Sequence, residues 1–147
     1  MKRIVLTILL IALIGLAGFI GNANAQDWYM PDKSTVSWDA VDAYKNGTAI
    51  PSGDVVSYEV FIRPRDTEPT ENNAVKLGTT TTTDYTISFQ NEGFWFAGVR
   101  AVRFDGNGTR LSESVIAWSD DSNSVKDTTF GFKFFYPPAM PGGLGRQ

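Results

Sequence analysis

The carboxylates are the first candidates for chemistry in this chain, because its 147 residues include no histidine and no cysteine. That removes a histidine general base, a Ser–His pair, a thiolate nucleophile and a Cys/His metal site. The acidic side chains that fall near turns or strand ends are Glu92, Asp105, Glu113, Asp120 and Asp121. A glycosidase needs two carboxylates facing each other across a cleft. The sequence shows no such pairing, so these residues are expected to be solvated turn residues and no catalytic residue is assigned. Asp105-x-Asn107-x-Thr109 has the opening of a calcium loop, but Ile116 stands where an EF-hand needs its bidentate glutamate. A hairpin turn explains the same Asp, Gly and Asn without a metal. No metal and no cofactor is therefore expected. Asn46-Gly47-Thr48 and Asn107-Gly108-Thr109 have the form of glycosylation sequons, and turn chemistry alone accounts for both.

Aromatic side chains are the other source of function. Trp28, Tyr29, Phe94, Phe96, Trp118 and the residues from Phe130 to Tyr136 exceed what a small core obviously needs. A flat strip of rings stacks on sugars or docks a protein. The alternative use is the core itself and the covering of sheet edges, since large rings dominate burial in small β domains.

The elements that must position these groups are strands. Ser34–Asp39 and Ser57–Arg63 alternate polar with apolar residues, as half-buried strands do. Val36 and Trp38 are expected to face the core, as are Tyr58, Val60 and Ile62. Pro64 lacks the N–H that a ladder needs and ends its strand. Residues 64–74 read as an exposed loop, Val75–Leu77 as a short edge strand, and Thr79–Thr83 as extended chain. Tyr85, Ile87 and Phe89 alternate inward along the next strand. Phe94–Arg103 starts apolar on both faces, as a central strand does. Asp105-Gly106-Asn107-Gly108 makes a hairpin, and Ser114–Ser119 is the returning strand. No sustained helical period appears beyond the N-terminal segment, so the class is all-β.

That N-terminal segment has its own logic. Met1-Lys2-Arg3 is basic, Ile4–Gly21 is an almost unbroken apolar run, and Asn22-Ala23-Asn24-Ala25 gives a small-x-small exit. This is the pattern of a secretory signal peptide helix, with the cut expected between Ala25 and Gln26. The competing reading is a membrane anchor, for which the run is just long enough. Without a cysteine at the cut, a lipid anchor is not expected. Cleavage leaves 11 of the 13 basic residues against 16 acidic ones, a net charge of about −5. Nothing there neutralises phosphates, so nucleic acid is not an expected partner. A membrane is expected only through an uncleaved signal segment, and the location is secreted or periplasmic.

The strands also resemble a known family. Val36-Ser37-Trp38-Asp39 is similar to the second strand of a fibronectin type III domain, and Ser57-Tyr58-Glu59-Val60 to its third. Tyr85–Phe89, the Gly93 turn and Trp95-x-Ala97-x-Val99-x-Ala101-Val102 are similar to its fifth and sixth. Asp105–Gly108 with Ser112-Glu113-Ser114 is similar to its last hairpin. The resemblance covers about Lys33 to Asp121. It implies an immunoglobulin-like β-sandwich and a non-catalytic module for protein interaction or adhesion. Its partner is an unknown protein or glycan. The alternative is a carbohydrate-binding module associated with exported hydrolases, and a small carboxylate hydrolase stands behind both. Two departures stand out. Trp95 occupies the place of the family's corner tyrosine, and an indole offers only an N–H donor. The first strand is barely present.

The resulting organisation is a signal peptide at 1–25, a fibronectin type III-like domain at 26–121 and an aromatic, Pro/Gly-rich tail at 122–147. Pro137–Leu144 resembles the lead-in to such a domain. Phe130, Phe132 and Phe134 alternate with Gly131 and Lys133, and so dense an aromatic strand is not expected to stand bare in water. Residues 129–136 are expected to pair along an open edge left by the short first strand, to extend the last sheet, or to be donated to a neighbouring molecule.

Overall fold

The computed structural model describes residues 26–30, 32–139 and 142. The expected signal peptide at 1–25 lies outside the described residues, and of its cleavage pair only Gln26 is described. The described chain is all-β. Its strands are β1 (Asp27–Tyr29), β2 (Lys33–Ser37), β3 (Val55–Pro64), β4 (Val75–Thr80), β5 (Asp84–Ser88), β6 (Gly93–Phe104), β7 (Arg110–Glu113), β8 (Ala117–Trp118) and β9 (Phe130–Phe134). One short 3-10 turn, Glu71–Asn73, precedes β4.

Two sheets face each other. The larger runs β1-β9-β6-β3-β4, and the smaller is the pair β2-β5. β6 is the axis of the larger sheet. β3 pairs with it along its length, from Val55↔Phe104 to Pro64↔Trp95. Its other side is shared end to end by β9 at Gly93–Trp95, β8 at Gly98–Val99 and β7 at Val102–Phe104. Such a strand is flanked on both sides, which is why its apolar start, Phe94-Trp95-Phe96-Ala97, has no polar alternation.

The core forms where the inner faces meet. Val36, Ile87 and Phe89 of the smaller sheet and its exit pack on Ala97, Phe132 and Phe134 of the larger. Trp38 is half-buried against this core and stands edge-on to Tyr58, 5.3 Å between ring centres. The Tyr58 hydroxyl in turn accepts the Val41 N–H at 2.9 Å. The inward sets expected for β2, β3 and β5 are the sets found.

Several expectations need correction. β3 is not half-buried: Glu59, Phe61 and Arg63, on the face opposite to the core, are as buried as Tyr58 and Val60. The returning strand is not continuous, because the chain leaves β6 after Glu113 and rejoins it at Ala117. The break follows a bulge opposite Arg103/Phe104 and leaves Val115 in solvent. The segment set apart as a C-terminal tail supplies β9, which pairs antiparallel with β6 and gives Phe132 and Phe134 to the core. β9 therefore extends the larger sheet. The curtailed first strand, β1, covers the outer edge of β9 as a parallel neighbour, with Trp28 opposite Gly131.

Candidate interaction surface

The outer face of the larger sheet is built from the alternate positions of β3 and β6. Glu59 lies opposite Arg100, Phe61 opposite Gly98, and Arg63 opposite Phe96. Each row solves a different packing problem.

In the first row Glu59, 5 % exposed, is held by charge-assisted hydrogen bonds from Arg100, Lys76 and Arg110. Arg100 donates from Nε at 2.9 Å and from Nη2 at 2.6 Å to Oε2. Lys76 Nζ reaches Oε1 at 2.6 Å, and Arg110 Nη1 reaches it at 3.1 Å. Arg100 passes the network on to Glu71 at 2.9 Å and Glu113 at 3.2 Å. Burial pushes the Glu59 carboxyl up, but the hydrogen bonds from Lys76, Arg100 and Arg110 outweigh it and hold the group down at about 2. Burial likewise lowers the Arg100 pKa, and its bonds to Glu59 and Glu71 more than reverse that.

The second and third rows are aromatic. Gly98 has no side chain because Trp118 and Ile116 lie on it: a Cβ there would sit 2.7 Å from both. Gly131 plays the same part for Trp28, whose ring atom Cζ3 would meet a Cβ at 2.7 Å. Arg63, 2 % exposed, stacks 4.8 Å over the Phe96 ring and 5.0 Å over Trp118. Its Nη1 donates to the Thr67 carbonyl at 2.7 Å, and its Nη2 binds the Asp120 carboxylate. Arg65 covers the Phe94 ring at 4.4 Å, and Lys133 lies 5.6 Å from it.

The carboxylates singled out from sequence are placed as follows. Asp120 and Glu113 are not free turn residues: one neutralises Arg63 and the other joins the Arg100 cluster. Glu92 accepts the Tyr136 N–H at 2.6 Å. Asp105 accepts the N–H groups of Thr109 at 2.8 Å and Asn107 at 2.9 Å, so it is the lock of the hairpin that resembled a calcium loop. Those bonds, Thr109 foremost, hold its carboxyl below the usual range. Asp121 holds the turn 121–124 in the same way. Among the described residues no three acidic groups come together as metal ligands. Sequence reasoning missed Glu59, Arg63 and Arg100, the buried charges. Alternation marks their face of β3 and β6 as the solvent side, and the partners that make their burial possible are distant in sequence.

The corner before β6 is closed by Trp95. Its indole N–H donates to the Asn91 carbonyl at 3.2 Å, and Gly93 between them takes a φ of +144°, open to glycine. All four tryptophans are thus engaged in packing and half-buried or buried. The exposed rings are elsewhere. Tyr29 (53 % exposed) packs on Phe130 and Phe132, and Tyr136 (59 % exposed) on Phe134, whereas Phe135 stands against Phe94 on the opposite face of β9; Met30, next to Tyr29, is exposed as well.

A cleft of about 600 Å³ opens between the two sheets. Ala97 and Val99 of β6 form its floor, Val36 and Trp38 one wall, and Tyr29 and Phe130 the other. Residues 124–128 stand at its mouth, where Lys126 bonds Asp39 at 2.8 Å. The buried Trp38 indole N–H has no hydrogen-bond partner. Compared with protein-family models, with curated proteins and with solved structures, the chain matches none.

Proposed function

We propose that the chain is a secreted, non-catalytic module of fibronectin type III-like fold that mediates protein interaction or adhesion. The strand order supports the fold reading: a β2-β5 sheet faces β4-β3-β6 with β7 and β8 on the far side of β6. The corner supports it too, because the Trp95 N–H bonds a backbone carbonyl four residues upstream, the job a corner tyrosine does through its hydroxyl. The observation that carries the interaction reading is the exposure of Tyr29, Met30, Phe135 and Tyr136 just where β1 and β9 end. These are large apolar groups left in water beside a sheet that otherwise covers its rings with cations and with neighbouring strands. Large apolar side chains left exposed at two neighbouring strand ends suit a docking surface. A sugar-binding face would instead present its tryptophans.

The test is a glycan array with the protein purified in the form in which the full chain accumulates on export. No saturable binding is expected. Saturable binding to any glycan overturns the reading in favour of the carbohydrate-binding alternative. A photo-crosslinking residue at Tyr136 in cultures of the source should give a discrete protein adduct, and the same residue at Gly53 should not.

A further inference from the structure

The smaller sheet has an unfinished edge. β2 pairs only with β5. Within that ladder the Trp38 N–H donates to the Thr83 carbonyl and the Phe89 N–H to the Asp32 carbonyl, so the even positions of β2 bond to β5. By the alternation of an antiparallel ladder, the backbone groups of Lys33, Thr35 and Ser37 then point the other way. Among the described residues nothing takes their place as partner: β1, the nearest strand in sequence, is committed to β9. Among the described residues the segment after β9 does not supply it either, since Pro137 and Pro138 follow directly on Phe135 and Tyr136.

Three further features lie beside that edge. The cleft of about 600 Å³ runs under it, with Val36 and Trp38 as its wall. The Trp38 indole N–H is buried and without a partner, and a buried donor left unmade is costly. The mouth is acidic: Asp27, Asp39 and Asp127 line it, against Lys126 alone.

We propose that β2 accepts an extended, basic segment of a partner protein as an added strand. This deepens the interaction reading and rests on it. Lys33, Thr35 and Ser37 supply the backbone ladder. Every second side chain of the incoming strand drops into the cleft onto Val99 and Tyr29, which requires small or β-branched apolar residues there. The intervening side chains face solvent and the Asp27, Asp39 and Asp127 carboxylates, which selects lysine or arginine. The Trp38 N–H gains an acceptor from the bound strand.

The experiment uses the exported protein and a synthetic peptide of alternating valine and lysine. Amide hydrogen exchange is read residue by residue by NMR during a titration. The expected result is saturable slowing at Lys33, Thr35 and Ser37, with Ser34 and Val36 unchanged. A peptide N-methylated at alternate residues, which cannot complete the ladder, should bind at least about tenfold more weakly. Replacing its lysines by glutamates should weaken it as well. Thr35→Pro removes one outward N–H without touching the bonds to β5, and it should reduce binding. Val99→Phe fills the cleft and does the same should the proline variant fail to fold. The proposal is overturned if the alternating peptide does not bind, if the N-methylated peptide binds equally well, or if a second copy of this chain already protects the same amides. Any of these outcomes, with the Tyr136 adduct still formed and the glycan array silent, leaves the module reading standing and removes only the strand-accepting edge.

Discussion

Glu59 and Arg100 face each other across the middle of the larger sheet, joined by two hydrogen bonds to one carboxylate oxygen at 2.6 and 2.9 Å. Both are buried, so each is the other's main source of solvation. Removing one partner strands the other charge. Glu59→Gln is expected to destabilise the protein by about 3–5 kcal/mol in urea melts. Replacing both with apolar residues of matching volume should recover much of that loss, because it removes the desolvation cost together with the attraction.

The Glu59 carboxylate also contributes to the acid limit of stability. The Glu59 carboxyl, held at about 2 against an ordinary value of 4.5, is lowered on folding. A lowered carboxylate stabilises the fold fully above its unfolded value, and the contribution is lost as pH falls from about 4.5 towards 2. Its size is on the order of 2 kcal/mol, after allowing for the solvent that reaches Lys76 and Arg110. Asp105 and Asp121, held down by turn N–H groups, act in the same direction. Thermal melts from pH 7 to 2 should fall through that window, and the Glu59→Gln variant should fall less steeply.

Gly98 and Gly131 are seats for rings. A Cβ on either would lie 2.7 Å from a tryptophan above it. Gly98→Ala and Gly131→Ala are each expected to cost about 1–3 kcal/mol by overpacking. Near-ultraviolet circular dichroism should change with them, since Trp118 or Trp28 must move. An unchanged spectrum and melting point would show that the rings do not rest on these glycines.

β9 is expected to be indispensable. A chain ending at Asp121 loses Phe132 and Phe134 from the core and uncovers the start of β6. It should fail to give a cooperative melt. Phe132→Ala, which keeps the strand, is expected to cost about 3–5 kcal/mol. A truncated chain as stable and monomeric as the longer one would contradict the assignment.

The corner at Trp95 gives a smaller effect. Trp95→Phe deletes the N–H that reaches the Asn91 carbonyl and keeps most of the ring. The expected loss is about 1 kcal/mol. The readout is amide exchange in the turn 91–93, which should quicken more than exchange in β3.

Much of the fold was legible because it depends on period. Val36, Tyr58, Val60, Ile87 and Phe89 alternate, and the inner faces follow from them directly. The opposite face of β3 was not legible in that way. Alternation marks Glu59 and Arg63 as solvent-facing, and only their cross-strand partners Arg100, Lys76 and Asp120, distant in sequence, make burial possible. The break between β7 and β8 escaped for a similar reason: it shows only in the pairing with β6, which is distant in sequence. Phe130, Phe132 and Phe134 announced a strand needing cover, but the pairing that covers its outer edge joins Asp27–Tyr29 to Phe130–Phe132, from the two ends of the folded unit. The sequence marked Trp28 and Trp118 as surplus, whereas the glycines that seat them, Gly131 and Gly98, carried no such mark.

The parallel pairing of β1 with β9 has a mechanical meaning. Asp27 enters at one end of this pair and Phe134 leaves near the other, so the two ends of the folded unit depart in opposite directions. Tension drawn through them would slide one strand along its neighbour. The hydrogen bonds between the strands would then bear the load together and in shear. A hairpin pulled from its open end yields them one at a time. Few bonds join β1 to β9, yet Trp28 seated on Gly131 adds a steric catch against that sliding. The short strand at the start of the domain is therefore placed where it would act as the clasp of a unit under tension.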